Sequence, residues 1–292
     1  MWCDMPIVPS WCRATKAPHP EIALILRLGL LLLIALASSV TAQPSSRSAV
    51  RELPAQSRPI DDVVVPVPRE IFQALDKFAD SNWARVQRPG LAKWKPSGDQ
   101  ERIALLLGAL IGEGFIAVEA KDEGEVKKIG SAVLKIAAAL GVKKSVLRHS
   151  RAIIEDAEKG DWNAVRREWD GVFADVETAM RELDSEQLAQ LVSLGGWLRG
   201  TEALTVLILQ NYSSDRAEIL RQPTMLDYFE KRLAEMDRAR RPSVLVARMA
   251  EGIRRIRPLV RSDGETPVSP KTVKEIGVIS RELIEEINVR GR

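Results

Sequence analysis

Two stretches of this chain are apolar almost all the way round a helix, and they constrain its fold more than any other feature. Residues 103–118 read IALLLGALIGEGFIAV with Glu113 as the only charge, and residues 188–209 read LAQLVSLGGWLRGTEALTVLIL with Arg199 and Glu202 as the only charges. A helix without a polar face has to be surrounded by protein. The first run is sixteen residues long, short of the roughly 20 apolar residues of a membrane span, so a soluble core is expected. Both runs also carry glycines, Gly108, Gly112 and Gly114 in one and Gly195, Gly196 and Gly200 in the other. Each costs about 0.5–1 kcal/mol relative to alanine inside a helix. The compensation expected for that cost is a close approach of the two axes, which makes these the central pair of a helical bundle.

The charges buried in this pair are the chemically distinctive residues of the chain. Arg199 and Glu202 are three apart and share a helix face. Glu113 has no cation nearby on its own face and is costly to bury alone. The expectation is a buried network in which Glu113 meets Arg199 across the glycine contact and Glu202 completes it. One reading is that this network fixes helix register; the other is that it lies in a pocket walled by Trp197 and Phe115.

The rest of the chain from Arg69 onward has helical periodicity, and no β-sheet is expected. Ile71, Leu75 and Phe78 predict a first helix over 69–86, ended by Pro89 and Gly90. Ser97 and Gln100 fit a capping box for the helix that runs to about Ala120. Further helices are expected over 123–140, 144–159, 161–183, 185–211, 215–221, 224–238, 243–257 and 269–289, with Gly141 and Gly160 as stops and Pro223 as a break. Short Gly-marked turns between helices predict an all-α bundle of about eight helices in stacked antiparallel hairpins. The domain proper spans 69–261, and the loop 262–270 sets off a C-terminal helix, 269–289, that packs on it or is tethered to it.

The N-terminus reads differently. Leu28 to Ala37 is an uninterrupted apolar run, preceded by Arg13, Lys16 and Arg27 and followed by small residues ending in Val40, Thr41 and Ala42. Positive flank, short apolar core and an A-x-A-like end are the parts of a secretory signal peptide, residues 1–42, cleaved between Ala42 and Gln43; an uncleaved anchor is the alternative. Both cysteines, Cys3 and Cys12, lie inside this segment, so a cleaved chain has no thiol or disulfide, which suits a bacterial periplasm. Residues 43–68 form a linker rich in proline and serine, with Val63–Val65 expected as an extended strap along the domain.

Beside the signal peptide, His149 is the last remaining histidine, and its neighbours Arg148 and Arg151 suggest a solvated basic turn. No His-Glu-x-x-His, Cys-x-x-Cys-His or phosphate-binding glycine loop occurs, so no catalytic residue, metal site or cofactor is expected. Ala152 to Ala164, with alanines around a Lys-Gly-Asp-Trp turn, resembles the tight hairpin of tetratricopeptide repeats, but no second copy follows at their 34-residue period. Gly114 to Glu119 resembles the Gly-x-His-x-x-Glu signature of imelysin-like helical proteins, with Ile116 where that family has its histidine. Without the ligand, the resemblance implies no function.

The segment 238–261 holds eight arginines against one acid, Glu251, for a net charge of +7. Arg248, Arg254, Arg255 and Arg257 are its candidate basic surface, facing an acidic partner or an anionic membrane, or balancing acidic helices elsewhere in the fold. Nucleic acid is not expected as a partner of an exported protein. The sequence thus points to a non-enzymatic exported protein that binds a protein or envelope component. The alternative is a small-molecule-binding or hydrolytic protein with its site at Glu113, Arg199 and Glu202.

Overall fold

The computed structural model describes residues 58–60, 63–65, 76–95, 99–239, 243–260 and 266–288. The signal-peptide reading lies outside the described residues, as does most of the linker.

The fold is an all-α bundle built on eight long helices. They are α1 (Gln100–Glu119), α2 (Glu123–Ala139), α3 (Lys143–Lys159), α4 (Trp162–Glu182), α5 (Glu186–Gln210), α6 (Pro223–Ala239), α7 (Val244–Val260) and α8 (Pro270–Asn288). Aspartates start three of them. The side chains of Asp99, Asp122 and Asp161 accept from the backbone N–H groups of Arg102, Glu125 and Ala164, satisfying donors that a first turn leaves free. The cap of α1 is therefore Asp99, where the sequence pattern suggested a box opened by Ser97. Gly160 closes α3 in the left-handed conformation, φ 73°, which costs glycine nothing.

Consecutive helices from α1 to α5 pack as hairpins, α5 lies most extensively against α1 and then against α8, and α6 pairs with α7. Because each short turn reverses direction, α1 and α5 run parallel: Gly108 lies against Val192, and Gly112 against Gly196 and Arg199. At this crossing the backbones nearly touch. A Cβ on Gly108 would sit 1.8 Å from the Val192 carbonyl oxygen, and one on Gly195 2.1 Å from that of Leu105. Not every glycine serves the crossing. Gly114 makes room for the indole of Trp169, whose Nε1 donates to the Ile111 carbonyl at 3.0 Å, and Gly200 meets nothing within 4 Å.

Three expectations are corrected here, and one break is located. The helix expected over 69–86 is, in its described part, two 3₁₀ turns at Asp76–Phe78 and Trp83–Val86. The Trp83 indole donates to the Phe78 carbonyl at 3.0 Å, pinning the kink between them. Val63–Val65 (β2) is not a lone strap but pairs antiparallel with Arg58–Ile60 (β1), Ile60 opposite Val63; isolated strands leave backbone groups unpaired, and a neighbour satisfies them. The break expected at Pro223 is present: the helical turns end at Leu220 and Pro223 is the first residue of α6, since a first-turn residue needs no N–H partner. Helix α7 runs through Pro258 to Val260, because a proline two residues before the last helical residue forfeits one hydrogen bond while Val260 gains burial at 2% exposed.

The C-terminal helix is an integral wall of the core. Val273, Ile276, Ile279, Leu283, Ile284 and Ile287 are buried, and Gly277 lies against Thr205 of α5. Among the described residues, no helix is long and apolar enough to cross a membrane.

Candidate functional site

The structure brings Glu113, Arg199 and Glu202 together just beyond the glycine crossing. Arg199 Nε donates to Glu113 Oε2 at 2.6 Å, with both residues no more than 2% exposed. Arg199 Nη1 lies 3.5 Å from Glu202 Oε2, and Nη2 donates to the Val86 carbonyl. The other Glu113 oxygen accepts from the Arg88 backbone N–H. Glu202 Oε1 faces Arg281 Nε at 3.3 Å and Arg88 Nε at 3.5 Å, and Arg88 Nη2 reaches Glu285 on α8 at 3.0 Å. Three arginines and three glutamates thus balance in charge, so burial leaves no uncompensated ion.

Half of this network had no signature in the sequence. Val86 takes part through its carbonyl, and Arg88 through its N–H as well as its guanidinium; backbone groups are ones any residue possesses. Both are free for this because the segment from Trp83 to Gly90 is a 3₁₀ turn and loop rather than an α-helix. Arg281 and Glu285, four apart on α8, present one face to Glu202 and Arg88, and only the docking of α8 on α5 reveals it.

The two aromatic residues expected to wall a pocket at these charges are engaged elsewhere. Trp197 instead packs against Phe229, ring centroids 5.6 Å apart, and donates to Gln222 at 2.9 Å; Phe115 is buried in the core. Two cavities among the described residues, of about 220 and 80 Å³, are lined by other side chains.

A second buried carboxylate lies at the end of α1. Glu119 Oε2 accepts from Arg166 at 2.5 Å, and Arg166 also reaches Asp76 at 2.9 Å. Burial pushes the Glu119 carboxyl above its ordinary range, with Arg166 beside it pulling the other way. Ile116, at the position of the imelysin histidine, is in the apolar core.

His149 is not on a solvated turn. It sits within α3 with its ring over Gly171 of α4, Nδ1 2.8 Å from Glu168 and Nε2 2.8 Å from Asp175. Arg148 approaches the same Asp175 at 3.2 Å. Both ring nitrogens are engaged, so neither faces a substrate. Among the described residues, no group of three or more His, Cys, Asp or Glu is placed to hold a metal ion.

The four candidate arginines of the basic stretch are each ion-paired. Arg248 meets Glu286, Arg254 meets Glu251 at 2.8 Å, Arg255 meets Glu282 at 3.0 Å, and Arg257 meets Asp227 and Glu230 at 2.5 and 2.6 Å. Helices α6 and α8 supply most of these acids, so the charge of these four arginines is met within the fold.

Compared with known proteins, the chain matches no family model, no curated protein and no solved structure.

Proposed function

We propose that this chain is an exported, periplasmic helical bundle that works by binding a protein or another envelope component rather than by catalysis. The observation that carries the reading is the state of its core charges. Glu113 and Arg199 bond to one another, to the Arg88 N–H and to the Val86 carbonyl, and Glu202 is ion-paired to Arg199, to Arg88 and to Arg281 of α8, which supports a role in fixing helix register. A hydrolytic site needs a nucleophile or base within reach of a substrate, and nothing supports that role for these three residues.

The reading is tested by expressing the chain with a C-terminal tag, fractionating the cells and sequencing the mature N-terminus. Recovery from the periplasm with Gln43 first, and capture of a stoichiometric envelope component that untagged protein displaces, is the expected result. Retention in the cytoplasm with residue 1 intact sinks the export; turnover of a small-molecule library by the purified chain, lost in Glu113→Gln, sinks the non-enzymatic part.

A further inference from the structure

The larger of the two cavities is a polar basin of about 220 Å³ between the 3₁₀ turns and the C-terminal end of α5. Lys77, Asp80, Ser81 and Asn82 form one side of it, and Leu207, Gln210, Asn211 and Arg216 the other. Leu207 is its only apolar lining residue. That composition does not suit an apolar ligand, and the volume holds a molecule of modest size.

Its electrostatics are set by Arg216, on the helical turn Ser214–Ala217 that follows α5. The guanidinium lies over the Phe78 ring, 4.5 Å from its centroid. It donates to Ser81 Oγ at 2.5 Å and to the Asn211 carbonyl at 3.3 Å. Stacking on one face and bonds on two nitrogens hold it in one orientation. A guanidinium has five N–H donors, so these two bonds leave three without a protein acceptor among the described residues, and the Nε donor is buried. No carboxylate among the described residues forms an ion pair with Arg216 or with Lys77 across the basin. This sets Arg216 apart from the arginines of α7, each of which has its own acid. With Asp80 as the single acid of the lining, the basin carries a net charge of +1 and the amides of Asn82, Gln210 and Asn211 around it.

We propose that this basin binds a small oxyanion, a carboxylate or a phosphate, on Arg216 and Lys77, with the three amides donating to its remaining oxygens. A preoriented arginine with unspent donors is the residue type that recognises planar or tetrahedral oxyanions. Asp80 on the rim favours a ligand that also bears a donor, a hydroxyl or an ammonium. This site is independent of the core network and of the partner-binding reading.

The test is calorimetric titration of the full chain with succinate and, separately, with inorganic phosphate, both against sodium chloride at matched ionic strength. Saturable binding of either anion that chloride does not reproduce is expected, and the anion that binds identifies the source. Arg216→Gln should weaken it by at least about tenfold, equivalent to about 1.4 kcal/mol. Lys77→Gln, at an exposed position that cannot disturb folding, should weaken it several-fold and keeps the test open if Arg216→Gln fails to fold. Heat matched by chloride alone, absence of binding to both anions, or affinity unchanged in Lys77→Gln and in a folded Arg216→Gln overturns the proposal.

Discussion

Arg199 closes on Glu113 at 2.6 Å in a place where neither side chain is more than 3% exposed. Removing one partner leaves the other charge buried and uncompensated, which costs about 3–5 kcal/mol. Glu113→Leu and Arg199→Met should each lose on that order in urea unfolding, while the double variant carrying both should recover much of the loss. A double-mutant cycle showing simple additivity would mean the two residues do not act as a pair.

The glycine crossing makes a sharper contrast. Gly108→Ala and Gly195→Ala place a methyl within about 2 Å of a carbonyl oxygen on the facing helix, and each should destabilise by about 1–3 kcal/mol or more. Gly200→Ala, with open space around it, should instead stabilise by about 0.5–1 kcal/mol. Thermal melts of the three variants should move in these opposite directions.

Tyr228, on α6, is 4% exposed, and burial, together with Glu177 and Glu186, pushes its hydroxyl up to about 12. An unfolded tyrosine titrates near 10, so between about pH 10 and 12 the folded chain keeps a proton that the unfolded chain has lost. Stability from this group is complete below pH 10 and falls as pH rises through that window, by on the order of 2 kcal/mol. The difference in unfolding free energy between the native chain and Tyr228→Phe, followed from pH 9 to pH 12, should show this slope. A flat difference would contradict it.

With Arg248, Arg254, Arg255 and Arg257 each paired to an acid, anionic vesicles should not retain the protein at physiological salt. Sedimentation with phosphatidylserine vesicles checks this. Salt-sensitive binding abolished by Arg254→Glu with Arg255→Glu would return the stretch to the role of a membrane surface.

The clamp on His149 holds α3 to α4 through two carboxylates. His149→Ala should cost about 1–3 kcal/mol, because Glu168 and Asp175 each lose a partner at a half-buried position. Gly171 would gain open space rather than a replacement contact. Equilibrium unfolding of this variant, compared with an exposed control such as Arg151→Ala, reads the difference.

Where the sequence was legible, one residue carried the signal locally. Asp161 marks a helix start because the cap is made within three residues, and Gly160 marks a stop because of its own backbone. The glycine runs and the three lone charges of α1 and α5 singled out the central pair for the same reason: burial is written into composition. Legibility failed where the partner was remote or belonged to the backbone. The periodicity of Ile71, Leu75 and Phe78 gave no sign that Trp83 would fold back on the Phe78 carbonyl. Nor did anything near His149 announce two carboxylates 19 and 26 positions away; its flanking arginines pointed toward solvent. Pro258 misled because its cost falls on one bond near a helix end, where packing of Val260 decides.

The clasp between the start and finish of the bundle governs when this chain can fold. Arg88 meets Glu285 across 197 positions, and Arg102 of α1 donates to the carbonyls of Glu286 and Ile287 at 2.6 and 2.8 Å, capping α8. A nascent chain still tethered to the ribosome lacks these contacts until α8 has emerged, so Glu202 and the α8-facing side of α5 wait uncovered until then. Closure is thus a late event with a large loop to close.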